Sequence, residues 1–323
     1  TVTGAVYPAI DLTAGERERG TLEMLMASPV SRLKLLLAKY AAVVTVAFLT
    51  AIVNLTAMGM TLAATGLAAV LFGEEGIGPL RVAQILALLV LFAAFFSAVL
   101  LALTSFARSF KEAQAYLIPL MLLSLGPGVV SLLPGLELRG LLAITPVSNI
   151  VLLARDLCGG GADPLMAAVA VLSTGLYTLA AIGVAAKIFG TDAVMSGSQG
   201  QLKHVFAPRG EEHAASSVSG ALLCLAILFP IYFVTSNGLG QLRGLSLPVR
   251  LVLSGLASSF LFGAIPLIAA RIQRLRLRDG FSLRGAVLPA FTVAVLLGAT
   301  LWPLAHEIVL LTQSVGLASI RPE

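Results

Sequence analysis

Long uncharged, apolar runs alternate with short charged segments along the chain. A helix needs about 20 apolar residues to cross the hydrocarbon core of a bilayer. Seven runs reach that length, at residues 40–66, 82–107, 113–134, 164–186, 218–236, 250–270 and 286–304. They lack the alternation of apolar and polar positions that strands of a membrane barrel show. The pattern therefore predicts an all-α membrane protein, a polytopic helical bundle with about seven complete transmembrane helices.

Residues 1–10 (TVTGAVYPAI) are also apolar and resemble the end of one further helix. The chain opens at Thr1 without a methionine, and its first residues lack the basic head, short apolar core and cleavage site of a signal peptide. We therefore expect a partial eighth helix at this position, in a chain that is truncated at its N-terminus.

Composition supports a membrane location. Hydrophobic residues make up 58% of the 323 positions and charged residues only 11%, against about 25% charged in soluble domains. This inventory excludes both a soluble globular fold and a disordered chain, which needs low hydrophobicity and high charge. The two cysteines, Cys158 and Cys224, give neither a disulfide framework nor the spacing of metal ligands.

The basic residues predict the orientation. If residues 11–39 are cytoplasmic and each run crosses once, fifteen of the 21 Lys and Arg residues fall on the cytoplasmic side. Such an excess is typical of cytoplasmic loops. Basic loops beside an anionic inner leaflet also explain the net charge of +5 better than nucleic acid does. We expect a multi-pass protein of the bacterial inner (cytoplasmic) membrane whose partners include lipid and no nucleic acid.

Two polar connections divide the chain. Residues 191–217 are rich in polar and small side chains and predict a cytoplasmic linker. This linker separates a first membrane domain, residues 1–190, from a second, residues 218–323. In the outer connection 135–163, the apolar stretch from Leu141 to Leu157 is short for a span and predicts an interfacial or re-entrant helix.

Residues 15–40 (GERERGTLEMLMASPVSRLKLLLAKY) combine mixed charge with helix signals. Thr21 is a candidate N-cap of a short helix, and Pro29 ends that helix. Ser31 is a candidate cap of a second, amphipathic helix. We expect Leu33, Leu36 and Leu37 on one of its faces and Arg32, Lys34 and Lys39 on another. The pattern predicts an elbow of two helices at the membrane surface.

This elbow resembles the coupling region of ABC-2 type exporter permeases, particularly the NatB-like sodium-efflux group. The matching pattern is E-R-E-x-G-T-L-E, followed by S-P-V-S-R and a later lysine. The resemblance implies that residues 16–39 meet an ATP-binding subunit. It assigns ATPase coupling to Glu16, Arg17, Glu18, Arg19, Gly20, Thr21, Leu22, Glu23, Pro29 and Arg32. The alternative is an ordinary solvated loop of alternating charge.

The chain has no G-x-x-x-x-G-K-[ST] phosphate loop. We therefore expect no enzyme activity, catalytic residue, metal or cofactor in this chain, with ATP-Mg bound by a separate ABC ATP-binding subunit. The resemblance further implies a homodimer or heterodimer of permeases that exports a substrate, of which sodium ion is a candidate.

Residues 218–323 resemble the start of a CPBP-type (Abi-like) intramembrane protease domain. The family motif E-E-x-x-x-R is absent, since Glu211-Glu212 is followed by Ser216. His306-Glu307 lacks the second histidine of an H-E-x-x-H zinc site, because Leu310 stands there. The alternative function is thus a CPBP-type metalloprotease fusion whose catalytic motifs lie beyond this fragment.

Polar residues within the runs are few. Most hydroxyls inside spans make helix-packing contacts, and Asn54, Gln114 and Asn149 are the candidates for a translocation path. No acidic residue falls in the middle of a run, which weakens the specific assignment of sodium because that ion favours oxygen ligands.

Overall fold

The computed structural model describes residues 2–67, 78–131, 133, 135–159, 161–189, 217–240, 246–273, 275–281, 289–294, 296–297, 300 and 307. In this part the chain forms helices and no sheet. The helices are α1 (Val2–Ile10), α2 (Glu16–Glu18), α3 (Thr21–Met26), α4 (Arg32–Ala64), α5 (Pro79–Thr104), α6 (Phe110–Val130), α7 (Ser148–Cys158), α8 (Pro164–Phe189), α9 (Val218–Gly240), α10 (Leu247–Ile272) and α11 (Leu277–Gly280).

Five of the described helices are long and apolar enough to cross a membrane, namely α4, α5, α8, α9 and α10. They correspond to five of the seven predicted runs. The predicted run 113–134 forms α6, which is not among the five, and 286–304 lies mostly outside the described residues, as does the predicted linker 191–217. The all-helical membrane fold is confirmed, and the count of seven helices plus a partial one is not.

The ends of these helices gather at one face of the bundle. Phe189 at the end of α8 lies under Lys39 near the start of α4. Arg17 reaches the carbonyl of Ala107, just after the end of α5. Near the start of α9, Gly220 lies against Gln273, which follows α10. We call this end, which carries Arg17, Lys39, Lys187 and Arg271, the basic face, and the opposite end the far face.

Helix α5 is the centre of the bundle and packs against α1, α4 and α8. Half of its most apolar stretch is buried inside the protein, a larger share than in the other four candidate spans. The core around it contains many alanines, and Ala5, Ala9, Ala47 and Ala113 have no exposed surface. Small side chains let helix backbones approach closely, which is how membrane helices gain packing energy.

The partial helix predicted at residues 1–10 continues into the elbow. Helix α1 passes into a π-helical stretch at Asp11–Gly15 and then directly into α2. The Thr13 hydroxyl donates a hydrogen bond to the Ala9 carbonyl, 2.6 Å away, inside this rod. Residues 2–18 therefore form one continuous helical rod that connects the membrane core to the charged segment.

Helix α6 begins at the basic face and contains Pro119 and Pro127. Each proline removes one backbone donor from the helix, and the side chains of Leu122, Leu123 and Leu125 are largely exposed. The helix is 21 residues long and packs against α5 and α1.

The outer connection contains a short helix where the sequence predicted an interfacial or re-entrant one. Residues Gly140–Ala143 form a turn of 3-10 helix, and α7 follows. Ile150, Leu152 and Leu153 are buried in a cluster with Leu88 of α5 and Ala170 of α8. This connection is packed between the helices because α7 has an apolar face that another helix can cover.

The crossing of α1 and α4 gives the first prediction. A Cβ atom at Gly4 would lie 2.6 Å from Oγ1 and 2.7 Å from Cβ of Thr50. We expect Gly4→Ala to lower the free energy of unfolding by about 1–3 kcal/mol, because the two backbones must separate. Reversible unfolding of the purified protein in mixed SDS and dodecyl maltoside micelles, followed by circular dichroism, measures this change.

The matched control is Gly59→Ala in α4, the helix that carries Thr50, where nothing lies within 4 Å of the new Cβ. We expect this control to be neutral or stabilising by up to about 1 kcal/mol, because alanine favours the helix over glycine. Equal stability of the two variants would contradict the close packing of α1 on α4.

Candidate functional site

The elbow predicted from residues 15–40 is present and consists of α2, α3 and the first turns of α4. Gly20 joins α2 to α3 with a φ of 72°, a left-handed conformation that glycine adopts without a steric penalty. Pro29 lies in the bend between α3 and α4 and is exposed. The short helices α2 and α3 therefore contact each other at the basic face.

A buried ion pair joins the two arms of the elbow. The Lys39 ammonium donates hydrogen bonds to Oε2 of Glu16 and to the carbonyl of Leu12, the latter at 2.6 Å. The two charged side chains are only 5% and 13% exposed. The ammonium also lies 5.3 Å from the centre of the Phe189 ring, an attractive cation–π geometry. Lys39 therefore connects the π-helical stretch, α2 and the end of α8.

Arg17 ties the elbow to the end of α5. Its guanidinium donates to the carbonyl of Ala107 at 2.8 Å and to that of Ser105 at 3.2 Å. These carbonyls follow the last turn of α5, where cations interact favourably with the helix dipole. Partial burial lowers the pKa of Arg17 from its ordinary value, and nearby Glu112 opposes this effect. The guanidinium stays charged because its ordinary pKa is so high.

Glu18 ties the elbow to the start of α6. Its Oε2 accepts a hydrogen bond of 2.8 Å from the backbone N–H of Phe110, the first residue of that helix. Ser109 accepts from the N–H of Glu112 at 3.3 Å, and Oε2 of Glu112 accepts from the N–H of Arg108 at 2.7 Å. Carboxylates at a helix start satisfy otherwise unpaired N–H groups. Three consecutive residues, 16–18, thus bind three different helices.

The hydrogen bonds around Glu112 also set its ionisation. The Tyr116 hydroxyl donates to Oε1 of Glu112 at 2.6 Å. This bond, followed by that from the Arg108 N–H, lowers the pKa of Glu112 below its ordinary value. The carboxylate therefore stays ionised at neutral pH and supports the loop between α5 and α6.

The remaining motif residues face solvent or the core. Arg19 pairs with Asp11 at 2.8 Å in an exposed contact, and the hydrogen bond from Arg19 to Asp11 raises the pKa of the arginine. Leu22 is buried in the core cluster beside Leu36. Glu23 and Arg32 are exposed. Leu22 is the buried apolar anchor of α3.

An exposed surface remains on the elbow, which we call the docking face. It consists of Glu23, Met24, Val30, Leu33 and Leu37. Met24 is 76% exposed and Leu33 is 52% exposed, beside charged side chains of the same segment. Exposed apolar groups with a polar rim are typical of protein interaction sites.

Three sequence-based expectations for the elbow were wrong in detail. Gly20, rather than Thr21, takes the N-cap position of α3, and the Thr21 hydroxyl donates to the Glu16 carbonyl at 3.2 Å. Ser31 occupies the N-cap position of α4 but its side chain makes no capping bond. Lys39 lies on the buried face with Leu36, apart from Lys34, because Glu16 offers it a charged partner.

The candidates for the translocation path are not brought together. Asn54 and Gln114 are exposed on α4 and α6. Asn149 has no exposed surface, and its amide donates to Ser173 and Thr174 of α8 at 3.1 and 2.9 Å. A buried amide with these partners stabilises the packing of α7 on α8. A role of these three residues in translocation stays a prediction.

Sequence reasoning missed the partners of Arg17 and Glu18, which are backbone groups of residues 105–110. Side-chain patterns carry no signal for such contacts. The Ser109-x-x-Glu112 pattern of a helix start was visible in the sequence, and in the structure Ser109 caps the N–H of Glu112 while Glu112 accepts from Arg108. Among the described residues, no group of three or more His, Cys, Asp or Glu side chains is placed to hold a metal ion.

The Glu16–Lys39 pair gives the second prediction. Lys39→Met leaves the Glu16 carboxylate buried without its partner, and we expect a loss of about 3 kcal/mol in the free energy of unfolding. Lys34→Met, at an exposed position of the same helix, is the control and should change stability by less than about 0.5 kcal/mol. Unfolding in mixed micelles measures both changes.

The double variant Glu16→Gln with Lys39→Met removes both charges. We expect it to recover most of the lost stability, because no unpaired charge remains. A double variant as unstable as Lys39→Met would show that the lysine stem, rather than the ion pair, holds the elbow.

Comparison with known families supports the resemblance that the elbow indicated. The family model described as "ABC-2 family transporter protein" matches residues 2–194. Comparison with curated proteins and with solved structures gave no match. The NatB-like grouping and the CPBP resemblance of residues 218–323 stay predictions. The family model matches more than half of the chain, the elbow included, and the chain therefore belongs to the ABC-2 family of transporter proteins, the membrane components of ABC transporters.

Proposed function

We propose that the protein is the permease subunit of an ATP-driven exporter, in which the elbow receives the motion of a separate ABC ATP-binding subunit. The observation that carries this proposal is the tripeptide Glu16-Arg17-Glu18. Its side chains bind Lys39 of α4, the end of α5 and the start of α6. A displacement of the elbow therefore acts on three membrane helices together.

The elbow has two surfaces with different roles in this proposal. The docking face points away from the bundle and offers Met24 and Leu33 to a partner. The inner surface, residues 16–18, is occupied by contacts within the chain. In this arrangement ATP-driven closure of the partner pushes on the docking face, and Arg17 and Glu18 pass the displacement to α5 and α6. Charge-assisted hydrogen bonds suit this role because they are short and directional.

Orientation supports the proposal. The basic face carries the elbow together with Lys187 and Arg271 at the ends of α8 and α10. Basic residues mark the cytoplasmic side of membrane proteins, where ATP and an ATP-binding subunit are found. The elbow is thus cytoplasmic, and the protein acts in the bacterial inner membrane as a homodimer or heterodimer of permeases.

Sodium ion is the substrate that the resemblance to NatB-like permeases favours. Such an ion needs buried oxygen ligands. In the first domain we propose the hydroxyl, amide and carbonyl oxygens of Asn149, Ser173 and Thr174, which are buried. They bond to one another in this structure, so they bind a cation only in a conformation that frees them. The CPBP-type protease alternative concerns residues 218–323, and no observation favours it over the exporter.

The coupling role gives the third prediction. Arg17→Gln and Glu18→Gln each keep the docking face but weaken the bonds to α5 and α6. We expect both variants to bind the ATP-binding subunit that co-purifies from native membranes. ATP-dependent uptake of the proposed substrate, sodium ion, into inverted vesicles should fall about tenfold. Each variant loses roughly one charge-assisted hydrogen bond, and a loss of that energy in the coupling step lowers the transport rate about tenfold. Unchanged ATP-driven transport in both variants would contradict the coupling role.

The docking face gives the fourth prediction. Met24→Asp and Leu33→Asp place a charge in the centre of an apolar contact, and we expect at least a tenfold loss of co-purified ATP-binding subunit. The control is Leu141→Asp at the far face, where the side chain is 64% exposed. Retention of the subunit by both docking-face variants would place its binding site elsewhere.

A further inference from the structure

A cavity opens at the basic face between α8, α9 and α10. Its volume is about 390 Å³, within the range of small-molecule sites. Val184, Leu223, Ile227, Ile265 and Ile268 line its interior. The lining on α9 runs from Ser217 to Ile227, a rise of roughly 15 Å along the helix. The cavity is therefore an apolar slot that runs from the membrane surface into the span.

The polar groups of this cavity lie together at its mouth. They are the Lys187 side chain at the end of α8, the hydroxyls of Ser217 and Ser219 at the start of α9, and the Gln273 amide after α10. Lys187 is exposed, and no acidic side chain is among the described lining residues. Arg271 is also exposed near this mouth, in the last turn of α10. A positively charged entrance thus leads to an apolar interior.

A second cavity of about 320 Å³ adjoins the first. It shares Gly220, Cys224, Ala269 and Gln273 with it and is otherwise lined by apolar groups such as Phe262 and Phe281. The ridge between the two cavities is narrow because α9 and α10 approach closely, with Gln273 covering Gly220. Gln273 is the polar group that lines both cavities, and an apolar slot beside each side of it matches a molecule with two acyl chains and one headgroup.

We propose that these cavities are a binding site for one anionic diacyl phospholipid of the cytoplasmic leaflet. The Lys187 ammonium and the Ser217 and Ser219 hydroxyls receive the phosphate, and the acyl chains fill the two slots. Basic pockets between membrane helices at the cytoplasmic side suit such headgroups, with about 1 kcal/mol of attraction from each basic residue. The site lies between α8, α9 and α10, outside the elbow, and does not rest on the proposed coupling.

Native mass spectrometry of the detergent-purified full chain tests the proposal. Dioleoyl phosphatidylglycerol is titrated against dioleoyl phosphatidylcholine of the same chain length. We expect one phosphatidylglycerol molecule to bind at least about tenfold more tightly than phosphatidylcholine. Lys187→Gln should weaken phosphatidylglycerol binding about fivefold, the equivalent of about 1 kcal/mol. Lys111→Gln, an exposed lysine on α6 away from the cavity, is the matched control and should leave binding unchanged.

The native cysteines locate the bound lipid without any substitution. Cys224 lines both cavities, whereas Cys158 is exposed at the end of α7. We expect phosphatidylglycerol to slow the reaction of Cys224 with methyl methanethiosulfonate at least fivefold and to leave Cys158 unaffected. A matched addition of phosphatidylcholine should protect Cys224 less at the same concentration.

Three results would overturn the proposal. Equal binding of the two lipids, or binding unchanged by Lys187→Gln, would exclude recognition of the anionic headgroup. Unprotected Cys224 at saturating phosphatidylglycerol would exclude the cavity as the site. Competition by soluble glycerol 3-phosphate at equal concentration would show that the mouth binds a free phosphate rather than a lipid.

Discussion

The buried pair of Glu16 and Lys39 is the constraint on which the basic end of the protein depends. Two opposite charges that are almost fully removed from solvent are stable only when each satisfies the other, so the start of α4 cannot move away from α2 without exposing an unpaired charge. The same lysine also contacts the Leu12 carbonyl and the Phe189 ring. One side chain thereby fixes the entry of α4 against both the first helical rod and the end of α8, and this geometry leaves Arg17 and Glu18 facing α5 and α6.

The mixed charge of the elbow therefore has a structural explanation. Adjacent residues of a short helix point in different directions. The carboxylate of Glu16, the guanidinium of Arg17 and the carboxylate of Glu18 therefore reach three separate places. Each place offers the complementary group, namely an ammonium, the carbonyls after α5 and the first N–H of α6. Residues 16–18 of the run contact other helices, whereas Arg19 forms an exposed pair with Asp11. This arrangement links the surface of an apolar bundle with few charges to several of its helices.

The two halves of the chain differ in how closely their helices are packed. The family match covers α1–α8, and the core around α5 is built from alanines and other small residues that let helices pack closely. In contrast, α10 has no buried share in its most apolar stretch, so its surface faces lipid or the cavities beside α9. The slots at the basic face lie beside the contact of α9 with α10, whereas α5 is packed closely against its neighbours. The second half thus exposes more of its apolar surface than the first half does.

Much of this architecture was predictable. Hydrophobic run length determined the membrane class and the approximate bounds of α4, α5, α8, α9 and α10, because a bilayer sets the length of its helices. Local signals determined the helix–proline–helix elbow, since Gly20 and Pro29 act on neighbouring backbone. Only the tertiary structure decided the rest. It turned Lys39 inward because Glu16 lies beside it, packed α7 between helices, and gave Arg17 and Glu18 their partners. Those partners are backbone carbonyls and an N–H group some 90 positions away in the chain, and every residue carries such groups, so no pattern of side chains could identify them.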